Sequence, residues 1–388
     1  MKLKQGERSL HWVLLIWGLL WWFCSGLIEI EHYVASRYEA NAALCFISIS
    51  MLAVSLIARA LSWKEGEYPP VFLLPAMFVI TLFQLFNAPS GNLLADYGFI
   101  SWVLALSSQM LILYRCEWVW RKSILSISHA FTMYLYIFLC SWIIADLVNH
   151  FFPIGKVWED IVWGLIPAFA VLKMIYLRDR LSWPVMDYPQ SYVGKGLFPV
   201  VFYLGIWTLI ACYNRGNPAP IPYVSIINPL ELVQLLCISM MLKWVLLIKE
   251  NEITGVTFPG VSLALTVIGG ITFIWISSVV AHSVHFYAGV RFDTSTMLAS
   301  EIFQASISIV WTLMAFVVMF LAAKKQYRKV WFVGATLLGT VVIKLFLIDL
   351  ADSGGIARIV SFMTVGILVL VIGYFSPIPP RDVRIEEY

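Results

Sequence analysis

Long apolar runs, one after another, constrain this chain more than any other feature. A helix that crosses a bilayer needs about 20 mostly apolar residues. Twelve such stretches can be marked off, roughly at 10–30, 40–61, 70–87, 96–114, 122–149, 158–177, 196–212, 228–248, 257–281, 298–323, 329–350 and 355–375. The fifth is long enough to tilt or protrude. Composition excludes the alternatives. With 61% apolar and 13% charged residues, the chain has half the charge of a soluble globule and too much hydrophobicity for disorder. The spans take up about 250 residues at this length. The connections are short, and none is large enough for a separate soluble domain. The expected fold is all-α and polytopic, one membrane domain over residues 1–388.

Lysine and arginine set the expected orientation. One face collects 20 of the 26 cations, from both tails and alternate loops. The opposite face holds only Arg37, Lys156, Arg215 and Arg291, while Lys344 and Arg358 lie inside helix ends. Both termini are therefore expected in the cytoplasm. The first run, preceded by Lys2, Lys4 and Arg8, is longer than a signal-peptide core and reads as a retained helix. The six cysteines lie in or beside spans without a CxxC pair and read as small apolar fillers.

A repeat is visible across the apolar pattern. Leu61-Ser62-Trp63 is followed by Glu67-Tyr68-Pro69, and Leu181-Ser182-Trp183 by Asp187-Tyr188-Pro189, 120 residues later. Spans 1, 5 and 9 end in polar pairs three residues apart: Glu29 and His32, Asp146 and Asn149-His150, His282 and His285. Three parallel four-helix units over 1–120, 121–250 and 251–388 are expected, with generic membrane-end chemistry as the alternative.

Two motifs are more specific. Residues 216–231 read GNPAPIPYVSIINPLE, and near the C-terminus KLFLIDL (344–350) precedes RIVSF (358–362). With Trp183-Pro184 and Tyr192, these resemble the bacterial membrane family known as domain of unknown function 2339. The resemblance covers essentially the whole chain. It implies a predicted membrane protein and carries no assigned activity. Members of that family are typically longer, with a coiled-coil start and further helices, so this chain resembles the C-terminal half. Where the family often has a carboxylate and an Arg before the His at the end of span 9, His282 and Val284 stand here.

The candidate site residues sit at the expected outer ends of the spans. Twelve acids map there, with His32, His150, His282 and His285. The polar pairs share a helix face and read as interfacial anchors, with substrate contact or a divalent metal as sharper alternatives. The loop over 213–228 is stiffened by Pro218, Pro220, Pro222 and Pro229 and presents Tyr223, Asn228 and Glu231. Asn228-Pro229 reads as a helix cap. Lys344 and Arg358 are expected to pair with Asp349 and Asp352. Glu301 completes the set. His129 reads as a hydrogen-bonded packing residue, and Gly269-Gly270 as a close-packing spot.

No P-loop, dinucleotide fingerprint, HExxH or GxSxG occurs. No metal or cofactor is called for, and nucleic-acid binding is unsupported. Three function classes remain. The first is a non-catalytic envelope or assembly component, whose partners would be the lipid bilayer and other envelope proteins. The second is a membrane enzyme acting on a lipid-linked or extracytoplasmic substrate. The third is a transporter, which the scarcity of mid-membrane carboxylates disfavours.

Overall fold

The computed structural model describes residues 5–87, 92–151, 155–250 and 260–345, with isolated positions between 363 and 379; side chains are described from Trp12 onward. Every regular element among them is helical. In hydrocarbon there is no water to satisfy backbone polar groups, so long apolar runs close their hydrogen bonds along a helix. In chain order these are α1 (Gln5–Tyr33), α2 (Ser36–Ala60), α3 (Leu73–Asn87), α4 (Gly98–Arg115), α5 (Lys122–Phe151) and α6 (Lys156–Tyr176). There follow α7 (Pro189–Tyr192), α8 (Phe198–Ala211), α9 (Pro229–Lys249), α10 (Val261–Ala288), α11 (Thr294–Ala299), α12 (Glu301–Lys324) and α13 (Arg328–Lys344).

Nine segments among the described residues are long and apolar enough to cross a membrane. Three of the twelve expected spans are not among them. The sixth forms as α6 but carries Lys156, Glu159, Asp160 and Lys173. The eleventh forms as α13, which has 17 residues. The twelfth falls almost wholly outside the described residues. Two of the nine are composite. α3 has 15 residues and α8 has 14, and each reaches crossing length only with the turns before it, Glu65–Asn87 and Pro189–Ala211. In both, a Tyr-Pro pair opens a turn ahead of the longer helix: Pro69 starts a 3-10 turn and Pro189 starts α7. Proline suits a first helical position, where its missing N–H costs nothing.

The chain divides into two compact units. The first comprises residues 1–211, 217–221 and 232–271. Its core is apolar and tightly closed: Leu44, Leu73, Met77, Ile112, Leu113, Leu135 and Leu139 are at most 2% exposed. α1 is the exception, because none of its most apolar window is buried. A polar knot interrupts this core. Asn41 accepts from Gln84 Nε2 at 2.9 Å and from Ser101 Oγ at 3.0 Å, and Trp102 donates to Gln84 Oε1 at 3.2 Å. Arg37 pairs with Asp96 nearby in sequence to this knot. His129 is fully buried, bonded to Tyr192 Oη at 2.9 Å and stacked on Tyr188, which is the packing role expected of it. The close packing expected at Gly269 and Gly270 is not met: an added Cβ at either would find no described atom within 4 Å.

The second unit comprises residues 212–216, 222–231 and 272–388. α12 and α13 form its hairpin. Ala315, Met319, Ala322, Trp331 and Leu338 make one core cluster, and Val280, Val284, Met297 and Ile307 another. Gly334 permits the close approach, since a Cβ there would lie 2.6 Å from Met319 Cγ and 3.1 Å from the Ala315 carbonyl. α12 ends in a Schellman turn: Gln326 is left-handed and Tyr327 N–H donates to the Ala322 carbonyl at 2.9 Å.

Candidate functional site

The proline-rich motif folds back on itself before α9 begins. Asn214 Oδ1 accepts the Gly216 N–H at 3.0 Å, a local turn that asparagine favours. Gly216 has φ +65°, a left-handed conformation suited to glycine. Asn228 then ties the segment from both ends. Its Nδ2 donates to the Gly216 carbonyl at 2.7 Å, and its Oδ1 accepts from Leu230 N–H at 3.0 Å. Asn228 is thus the N-cap of α9, with Pro229 at the first helical position, as the sequence suggested.

Glu231, in the first turn of α9, has no exposed surface, and neither does His282 on α10. His282 Nδ1 lies 3.2 Å from Glu231 Oε1, and its Nε2 lies 2.8 Å from the Asn214 carbonyl. A carbonyl only accepts, so Nε2 carries a proton. The remaining proton is shared between Nδ1 and Oε1, and the pair is neutral whichever atom holds it. Glu231 Oε1 also accepts the Tyr223 hydroxyl at 2.8 Å, and Oε2 accepts the Ile226 N–H at 2.5 Å. A carboxylate removed from water is tolerated only when paired and hydrogen-bonded, and the helix N-terminus favours a negative charge here. Burial pushes the Tyr223 phenol well above its ordinary pKa. The Glu231 bond adds to that rise, and the Ser283 and Ser225 hydroxyls oppose it. Aromatic rings seal the cluster: Phe292 stacks on His282 and Phe286 on Tyr223.

The cluster borders an open groove of about 530 Å³ in the same unit, with lining from α10 and α12. Two hydroxyls stand at the border. Ser225 Oγ lies 2.7 Å from Ser283 Oγ, and Ser283 in turn donates to the Val279 carbonyl at 2.7 Å. Since Ser283 gives its proton to that carbonyl, Ser225 donates to Ser283. The protons therefore end on a backbone carbonyl, not on a base. Ile226, also at the border, has φ +72° and is 55% exposed. A β-branched residue at positive φ is strained, and the bond from its N–H to Glu231 holds it there.

Of the sequence candidates, the fold brings together Tyr223, Asn228, Glu231 and His282. His285 stands apart, its Nδ1 bonded to the Val290 carbonyl at 2.7 Å. Glu301 is exposed in the first turn of α12. Lys344 is held by α12, donating to Ser308 Oγ at 2.7 Å and the Gln304 carbonyl at 3.1 Å. Its expected partners Asp349 and Asp352, and Arg358, lie outside the described residues. Glu29 and His32 on α1, and Asp146 and His150 on α5, belong to the first unit, where each histidine ring meets the aromatic residue after it. Both His282 nitrogens and His285 Nδ1 are already engaged, which leaves the pair poorly placed to ligate metal. Among the described residues no cluster of three His, Cys, Asp or Glu could hold an ion. Residue-type reasoning missed Asn214, Ser225, Ser283 and Ile226. Ser283 adjoins His282, and Asn214 lies two residues before the motif, but neither signal points to a contact.

A family model described as predicted membrane protein DUF2339 matches residues 1–379, and the chain belongs to that family. No curated protein and no solved structure matches it.

Proposed function

We propose that this DUF2339 member is a non-catalytic component of the bacterial inner-membrane envelope, and that its most specific motif is a structural clasp. One observation carries the reading: the polar side chains of the 216–231 motif are spent on one another and on His282. Glu231 makes three hydrogen bonds at zero exposure, His282 is engaged at both nitrogens, and Asn228 is engaged at both ends of its amide. A general base must reach a substrate proton, and a group so enclosed does not. The charge asymmetry of 20 cations against 4 supports placing both termini in the cytoplasm. The motif then lies on the extracytoplasmic side, over the N-terminus of α9. The parallel composite spans before α3 and α8 support a four-helix repeat, and with it a total near twelve spans.

The test is complementation of a deletion strain by Glu231→Gln and His282→Gln. On the clasp reading, rescue tracks the amount of folded protein in the membrane. A variant present at wild-type level with an unchanged melting temperature, yet giving no rescue, would show that the pair does chemistry.

A further inference from the structure

The turn between α12 and α13 collects Lys324, Lys325, Arg328 and Lys329 within six residues. They belong to the face on which 20 cations gather. Orientation in the membrane accounts for cations on one face. It does not account for a lack of acids among them, because Asp and Glu contribute little to orientation. Each of the other six cation-bearing segments on that face includes an acid: Glu7, Glu67, Glu117, Asp179, Glu250 and Asp382 stand in them. The hairpin turn has none. The nearest acids in sequence are Glu301, 23 residues before Lys324, and Asp349, 20 residues after Lys329. Glu301 stands at the opposite end of α12. Among the described residues none of the four cations is ion-paired.

The turn holds these charges together. Gln326, at its left-handed centre, donates through Nε2 to the Ala323 carbonyl at 2.9 Å. Lys324, Lys325 and Lys329 are exposed, and the half-buried Arg328 guanidinium lies 5.6 Å over the Phe332 ring. Arg328 and Lys329 occupy the first turn of α13, where the helix dipole disfavours a cation and no acid or side-chain cap offsets it. Natural sequences break such local rules chiefly at functional sites. The neighbours of the turn say what could meet it. α12 is span-capable, so its end lies at a membrane boundary. Within about one helical turn of the cations, Leu321, Tyr327, Val330 and Val333 are exposed. A soluble phosphate compound would match the cations alone, whereas a phospholipid matches the cations and this apolar flank.

We propose that the α12–α13 turn binds the headgroup phosphate of an anionic glycerophospholipid. Lysine and arginine donate charge-assisted hydrogen bonds to phosphate oxygens, and four such residues beside a spanning helix are the composition that anionic headgroups select. The full chain in mild detergent is mixed with equal parts phosphatidylglycerol and phosphatidylcholine of the same acyl chains and weighed by native mass spectrometry. Wild type should retain phosphatidylglycerol in preference, and the preference should shrink as ionic strength rises. Lys325→Gln with Lys329→Gln should lower retained phosphatidylglycerol about tenfold and leave phosphatidylcholine unchanged. Arg121→Gln with Lys122→Gln removes two exposed cations from another turn of the same face and should behave as wild type. If the Lys325 and Lys329 pair does not fold, Lys324→Gln with Lys329→Gln decides. Undiminished preference in a folded hairpin variant would overturn the proposal. So would equal loss in the Arg121 and Lys122 variant, or displacement of the lipid by inorganic phosphate at the same concentration.

Discussion

Glu231 sits where a carboxylate is costly, with no exposed surface and His282 as its ion-pair partner. Removing one partner of such a pair strands the other, at about 3–5 kcal/mol. Glu231→Ala and His282→Ala should each lower thermal stability by that order, and the double variant should cost clearly less than their sum. Additive losses in a detergent thermal-shift cycle would mean the two side chains are not coupled. Ile226 carries the opposite prediction. Its positive φ costs about 1–3 kcal/mol, and its side chain is mostly exposed. Ile226→Gly keeps the N–H that Glu231 accepts and should raise stability by about 1 kcal/mol net of glycine's entropy. A lower melting temperature would mean that the Ile226 side chain contributes more than its backbone costs. The composition of the clasp was half legible. Tyr223, Asn228, Glu231 and His282 stood out as polar residues in apolar surroundings. Their pairing was not legible, because Glu231 and His282 are 51 residues apart and no local rule sets contacts at that separation.

At the scale of elements, short-range side-chain bonds set the helix ends. Asp293 caps α11, accepting from Thr296 N–H and from the Ser295 and Thr296 hydroxyls. The Thr296 backbone bond, then those hydroxyls, hold its carboxyl down at about pKa 2. A depressed folded pKa means stabilisation that is complete above the unfolded value, near 4, and lost as pH falls through about 2. Asp293→Asn keeps the cap without the charge. Amide exchange at Thr296 should therefore become pH-independent between 4 and 2 relative to wild type, after correction for intrinsic rates. Lys344 joins α13 to α12 through Ser308 and the Gln304 carbonyl. Lys344→Met retains the stem and loses the ammonium, and should cost about 1–3 kcal/mol in the same thermal assay. A smaller penalty in a Ser308→Ala background would locate the interaction. The sequence suggested an ion-pair clasp of Lys344 with Asp349 and Asp352 between the eleventh and twelfth spans, and those carboxylates lie outside the described residues. The Ser308 hydroxyl and the Gln304 carbonyl to which it also donates accept from the ammonium, and the approach of α12 offers them.

For the whole molecule, charge sorting makes the sharpest prediction. In an otherwise cysteine-free chain, Asn217→Cys should react with a membrane-impermeant maleimide added outside intact cells, and Lys325→Cys only after the membrane is opened. The reverse pattern would invert the proposed topology. The two composite spans make another. Trp120 Nε1 donates to the Glu67 carbonyl at 2.8 Å, and Trp244 Nε1 to the Val193 carbonyl at 2.9 Å. Each anchors the turns that lead into a short helix, α3 or α8. Trp120→Phe and Trp244→Phe should each cost about 1–2 kcal/mol. A loss confined to one would argue that the two sets of turns are not equivalent in packing.

The sequence by itself determined that this chain lives in a bilayer as a set of helices, because hydrocarbon leaves an apolar run of about 20 residues no other way to satisfy its backbone. It also determined where α9 begins, since Asn228-Pro229 acts on the nearest N–H group. Tertiary structure alone decided which polar residues became one cluster. It also decided that the span ending in α3 is built from turns as well as helix, and that a groove opens beside the clasp. Those outcomes depend on which helix faces meet, and an apolar run is equally apolar on every face it offers.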